Sequence, residues 1–202
     1  MFEQNPEARA RFIFFLLILI CVTPLVLAWY MAGHPELIRG QSNYGQLILP
    51  PASADYRELY LLEADGRPGI EELKGRWGLV YVTSEAECLA SCRDTILKTH
   101  RIWLLLNKDL ARVRRVLLAG SPGMSDAALE ILHREEPTLL TGRIDRALWS
   151  RLSPRLSAQD GAGGHLLLMD PLGNIMMQYP ADFDPYGVLK DLTHLLKVSQ
   201  IG

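Results

Sequence analysis

The chain has 202 residues, 49% apolar and 22% charged, with a formal net charge of −2 and three cysteines. That apolar content excludes a disordered chain, and three cysteines are too few for a disulfide scaffold. With 21 basic residues against 23 acidic ones and no long run of either sign, the balance argues against a nucleic-acid binder.

Residues 12–32 (FIFFLLILICVTPLVLAWYMA) form 21 consecutive positions without a charge. At 1.5 Å per residue a helix of that length spans about 31 Å, the hydrocarbon thickness of a bilayer. A signal-peptide core is typically only about 7–15 apolar residues, whereas this run continues through Trp29, Tyr30 and Met31, which suit an interfacial belt. Residues 12–32 therefore read as a retained transmembrane helix, kinked or not at Pro24. Arg9 and Arg11 precede the run and only Arg39 follows closely, so the positive-inside rule keeps a stub of residues 1–11 in the cytoplasm. The remainder is exported: periplasmic from a bacterial inner membrane, or in the intermembrane space of a mitochondrion.

Residues 33–50 (GHPELIRGQSNYGQLILP) read as a linker and residues 51–202 as one domain of ordinary size. Within it, Gly78–Thr83 is a buried strand, Cys88 to about Leu106 a helix, and Arg112–Ala119 a second strand. Ser125–Glu135 and Ile144–Leu152 read as helices. His165–Met169 and Asn174–Tyr179 form a hairpin around Asp170-Pro171-Leu172-Gly173, and Tyr186–Val198 is a closing helix. A βαβ unit followed by a ββα unit predicts an α/β domain, a central mixed sheet flanked by helices in the order a thioredoxin-like fold requires. Arg112, Arg114 and Arg115 read as a solvated strand edge, and Gly120-Ser121-Pro122-Gly123 as a turn. No Gly-rich phosphate loop, Gly-x-Ser-x-Gly or His-Glu-x-x-His motif is present.

Cys21 lies inside the apolar run as a small filler. Cys88 and Cys92 stand at the junction of the first strand with its helix, where open α/β sheets gather reactive groups. A spacing of four sets both thiols on one face of a helical turn, about 5–6 Å apart at Cβ, fit either to clamp a soft metal or to close into a disulfide. Helix N-terminal amides favour the thiolate. A bridge closing so short a loop contributes little stability, which weighs against a purely structural staple. Among His34, His100, His133, His165 and His194, position leaves His165 as the candidate third ligand, with the equal alternative that it only begins a strand and hydrogen-bonds locally. It follows Gly161-Ala162-Gly163-Gly164, a loop that in a thioredoxin-like layout faces the cysteines.

The Leu73-Lys74-Gly75-Arg76-Trp77-Gly78-Leu79-Val80-Tyr81 segment, the Cys88-x-x-x-Cys92 pair and the Asp170-Pro171-Leu172-Gly173 hairpin, behind a membrane anchor, resemble the SCO/SenC family of cytochrome oxidase assembly proteins. The resemblance covers roughly residues 45–200. It implies a thioredoxin-like fold and copper held by Cys88, Cys92 and a distant histidine. It also implies a partner, the copper-bearing subunit of cytochrome c oxidase, to which copper is delivered or whose cysteines are reduced. The family surrounds its cysteines with prolines, absent from Glu87-Cys88-Leu89-Ala90-Ser91-Cys92-Arg93. Its histidine stands about eight residues before the Asp-Pro turn, which here is Ala162, whereas His165 stands five before; an odd shift of three reverses side-chain direction in a strand. A thiol–disulfide oxidoreductase and a non-catalytic interaction module without copper remain alternatives.

Overall fold

The computed structural model describes residues 6–34, 43–63, 69–120, 123–156, 164–199 and 201. The chain divides into two units, Met1–Ser42 and Asn43–Gly202. The first contains helix α1 (Pro6–Gly33), which has Pro24 inside it. Its Arg9–Gly33 stretch is long and apolar enough to cross a membrane. The absence of a polar stripe over so many turns is what a lipid-facing helix requires.

The second unit is a seven-stranded mixed sheet. Its strands are β1 (Gln46–Ser53), β2 (Leu59–Leu61), β3 (Trp77–Thr83), β4 (Val113–Ala119), β5 (Leu139–Ile144), β6 (His165–Met169) and β7 (Asn174–Tyr179). They lie in the order β1-β7-β6-β3-β4-β5-β2. β3, β4 and β5 are parallel, and β6, β7, β1 and β2 each pair antiparallel with their neighbours. Helices α2 (Gly69–Leu73), α3 (Ala90–Leu105), α4 (Asp126–Glu135), α5 (Arg146–Leu152) and α6 (Pro185–Val198) complete the domain.

Alternation along the strands sorts the core into two layers. Leu79, Tyr81, Leu117, Leu166 and Leu168 face one way and pack with residues of α3, α4 and α6. Val80, Val82, Val116, Leu118 and Leu167 face the other and pack with α2 and α5. All seven residues of β3 are buried, so the strand reads in sequence as one apolar run. Caps fix the helix starts: Ser125, Asp145 and Asp184 accept backbone N–H groups of the first turns of α4, α5 and α6.

The structure corrects several expectations. Gln46–Ser53 is a strand, so ordered structure begins inside the span expected to be linker. β1 contains Pro50 and Pro51, which an edge strand tolerates because one row of its amides has no ladder partner. The start of the domain is held down further along: the buried Asp191 accepts Tyr44 N–H (3.0 Å) and Gly45 N–H (2.8 Å). Ile144 ends β5 rather than opening a helix, and Asp145 caps α5 one residue later. β2, α2 and most of β5 were not legible, being short or interrupted by Gly142 and Arg143. In the turn expected at 120–123, Ser121 and Pro122 lie outside the described residues.

The arginine trio is not a solvated edge. Arg112 donates to the carbonyls of Leu196 and Ser199 beyond α6, and Arg114 pairs with Glu72 at 3.2 Å. Arg115 is 1% exposed. Its guanidinium donates to Ile96 O of α3 (3.2 Å), Thr138 Oγ1 (2.7 Å) and Glu136 Oε2 (3.0 Å), and His100 Nδ1 meets that same carboxylate oxygen at 2.8 Å. These bonds from its two terminal nitrogens offset the cost of burying the cation, while its Nε–H is buried without a partner. Burial raises the Glu136 carboxyl pKa, but the hydrogen bonds from His100 and Arg115 and the Arg115 charge outweigh it, and the net shift is downward. A depressed carboxylate contributes stability that is present above its unfolded value and is lost as pH falls through the folded one. Glu136→Gln is therefore expected to cost about 1–3 kcal/mol near neutrality. It should also flatten the loss of melting temperature below pH 4.5, the carboxyl's ordinary value, measured by calorimetry on the full chain in detergent; an unchanged acid slope would refute this role for Glu136.

Candidate functional site

β3 ends at Thr83 at the carboxyl edge of the sheet, and α3 starts at Ala90. Leu89, the N-cap residue, is extended and contributes no side-chain cap, so nothing from its own side chain occupies the first amides of α3. Cys88 precedes the cap and Cys92 lies in the first helical turn. The two are joined as a disulfide with Cα atoms 5.2 Å apart, within the ordinary range for such bridges. Cys92 is fully buried in the layer that contains Tyr81 and Ile96, while Cys88 is only partly buried against it. Cys88 is consequently the sulfur that an incoming thiol can reach. Arg93 pairs with Glu135 at 3.5 Å and Lys98 with Asp94 at 2.8 Å, so both cations near the bridge already have carboxylate partners.

The structure brings Cys88 and Cys92 together and does not bring His165 to them. In the antiparallel β3–β6 pair His165 stands opposite Val82, and Leu166 stands opposite Tyr81. Residues directly opposite in a ladder share a face. Val82 belongs to the α2/α5 layer, whereas Tyr81 and Cys92 belong to the α3/α4/α6 layer. His165 therefore leaves the sheet on the face away from the disulfide. Residues 161–163 of the glycine-rich loop, including Ala162, lie outside the described residues. Among the described residues no three or more His, Cys, Asp and Glu side chains gather as a metal site. His100 is engaged with Glu136, His133 Nδ1 is 2.9 Å from Leu139 O, and His194 is exposed on α6.

A groove of about 320 Å³ runs beside the first turns of α3, lined among others by Tyr81, Ser91, Thr95, Lys98, Gly164 and Phe183. The Lys98 ammonium sits 5.2 Å over the Phe183 ring. Burial first, and the Glu85 charge second, push the Tyr81 phenol up to about 12. No feature of the sequence singles these residues out: Tyr81 is one of seven residues in an apolar strand, and Phe183 and Gly164 reach the groove only through the turns before α6 and β6.

Chemically, the site is a reducible two-sulfur centre. Reduction frees a partly accessible Cys88 thiol and a buried Cys92 thiol in the first turn of a helix, whose N-terminal amides favour thiolate. The same two sulfurs are soft donors of the kind that select Cu(I).

No curated protein matches the chain in sequence. Several solved structures match it in fold. The solution structure of apo Sco1 from Thermus thermophilus is 17% identical, with a TM-score of 0.53 over 78% of this chain and 99% of that one. Yeast Sco1 is 17% identical, with a TM-score of 0.53 over 74% of this chain and 97% of that one. Its copper-bound form is 15% identical, with a TM-score of 0.51 over 74% and 91%. At such identities the likeness is one of fold, and it agrees with the thioredoxin-like, SCO/SenC-type architecture that the sequence resembles. A family described as transmembrane-like, thioredoxin-like, C-terminal domain matches residues 77–199, from the first residue of β3 to the end of α6 and across the whole cysteine site. The chain belongs to that transmembrane-like, thioredoxin-like C-terminal domain family.

Proposed function

We propose that this chain is a membrane-anchored, exported assembly factor for a respiratory cytochrome oxidase, acting by thiol–disulfide exchange at Cys88 and Cys92. The observation that carries this reading is a disulfide closing only a Cys-x-x-x-Cys loop at the start of α3, with one sulfur half-buried and the other fully buried. The reduced Cys88 thiolate attacks a partner disulfide, forming a mixed disulfide and expelling one partner thiolate, which takes up a proton. The Cys92 thiolate then displaces the second partner thiolate and re-forms Cys88–Cys92. Two electrons and two protons pass to the partner, and the oxidised chain runs the same steps in reverse.

The stub of residues 1–11, the helix of 12–32 and the periplasmic placement of the domain belong to the same proposal. They rest on the apolar helix and on Arg9 and Arg11 before it. A second reading, delivery of Cu(I) as cargo to the copper-bearing oxidase subunit, is favoured by the two adjacent soft sulfurs. It uses Cys88 and Cys92 without His165, because the strand register turns that residue to the other face.

Two measurements test these readings. The reduction potential of Cys88–Cys92 in the full chain is expected well above about −300 mV, the value below which a bridge is inert to the glutathione pool. A lower potential would refute exchange. In the second, reduced wild type is titrated with Cu(I). One equivalent bound by both wild type and His165→Ala, and lost in Cys88→Ser, is the cargo result; no binding by wild type would remove that reading. Reduction itself should lower folding stability by only about 2 kcal/mol, the loop-entropy value for so short a bridge, as read by urea unfolding with and without reductant.

A further inference from the structure

α3 buries Cys92, Thr95, Ile96, Thr99 and Ile102 against the sheet. On its opposite side Leu97, Arg101, Leu104 and Leu105 recur at the i, i+4, i+7 and i+8 spacing of a single helix face. A helix lying on a soluble domain normally turns polar residues to solvent there, yet Leu97 is 52%, Leu104 53% and Leu105 52% exposed. One exposed apolar side chain needs no explanation, whereas three on one stripe form a patch of the kind that marks a contact surface. α6 packs beside α3 in the same layer, and its side opposite the buried Val188, Asp191, Leu192 and Leu196 carries Lys190 and Lys197. The whole chain has a formal charge of −2, but this face is positive. Arg101, Lys190, Lys197 and, in the 3₁₀ turn just beyond α3, Lys108 are exposed and have no ion-pair partner among the described residues. The only carboxylates on the two helices are Asp94, paired with Lys98 at 2.8 Å, and the buried Asp191, which accepts Tyr44 and Gly45 N–H.

We propose that the α3–α6 face rests on an anionic bilayer surface, with Leu97, Leu104 and Leu105 entering the headgroup boundary and the four cations meeting lipid phosphates. The inference goes beyond thiol exchange; it rests on α1 as a membrane helix and not on the chemistry of the cysteines. Lysine and arginine stems lie along apolar surface while their charges stay at headgroup level, so leucines interleaved with unpaired cations match both layers of that interface. Anionic lipid supplies the negative charge that the face lacks. A neutral apolar protein surface would instead bury these cations without partners. The chain also carries its own tether to a bilayer: through α1 the lipid surface is present at high effective concentration, so contacts too weak to recruit a free domain suffice for an anchored one. The patch lies on the half of α3 away from the disulfide, with Leu104 twelve residues past Cys92 and hence about 18 Å along the axis. Lipid contact there leaves Cys88 uncovered for a partner thiol.

The test places the full chain, one copy per disc, in nanodiscs of phosphatidylcholine alone or with about one third phosphatidylglycerol, and reads side-chain exposure by hydroxyl-radical footprinting. Oxidation of Leu97, Leu104 and Leu105 is expected to be about threefold slower in the anionic discs, whereas Tyr60 and Leu172, exposed on β2 and in the β6–β7 turn, keep the same rate in both. Raising salt to about 0.5 M, which shortens the Debye length to about 4 Å, should abolish the difference. The double variant Arg101→Glu/Lys108→Glu should abolish it as well, with a melting temperature in detergent equal to that of wild type, and Lys190→Glu/Lys197→Glu repeats the test on the other helix. Equal oxidation of the three leucines in the two discs, or slowing that survives both high salt and the charge reversals, overturns the inference. Slowing that appears only with two copies per disc assigns the face to a second copy of this chain and overturns it too. A chain that enters neither disc overturns the membrane reading of α1 and this inference with it, while leaving the cysteine chemistry intact.

Discussion

The central strand β3 is buried on both faces, and the rest of the domain is organised by that constraint. Every one of its side chains must find an apolar layer, so a slip of one residue would exchange the two layers wholesale. Its pairing with β4 on one side and β6 on the other transmits this register to the neighbouring strands. Tyr81 is thereby held in the same layer as Cys92, and Val82 with His165 opposite it is turned away. The separation of histidine and cysteines thus follows from sheet parity rather than from any local feature of either.

Charge is used inside this domain with the same economy. Arg115 points from β4 into the α3 side of the sheet and meets a carbonyl of α3 and the Thr138 hydroxyl and Glu136 carboxylate of the α4–β5 connection, so one buried cation joins those two segments to β4. On the other side of α6, Asp191 takes two amides of the first residues of the domain, tying the strap that leads to β1 onto the closing helix. Tyr44 stacks on Tyr179, and its hydroxyl accepts Asp184 N–H at the α6 cap. These contacts define where the domain begins far more sharply than composition does.

The site itself is small: a short disulfide, an uncapped helix start and a groove walled by Gly164 and Phe183. A bridge closing such a short loop does little for the fold, and its unequal burial suits sequential attack and resolution by two sulfurs. Residues 77–199, which contain the pair, match a transmembrane-like, thioredoxin-like family, and the fold is shared with Sco1 structures.

By itself the sequence determined the features that local periodicity encodes. These are the apolar helix, the buried strand before Cys88, the Cys88/Cys92 spacing, the Asp170 hairpin and the helices of 126–135 and 185–198, because each is specified by residues within a few positions of one another. Only the tertiary structure decided which face His165 takes, that Arg115 is interior rather than solvated, that Pro50 and Pro51 lie in an edge strand, and that Tyr81 and Gly164 line one groove beside the first turns of α3. Each of those depends on the register between strands distant in the chain, and a one-residue difference in register reverses the answer without changing any local pattern.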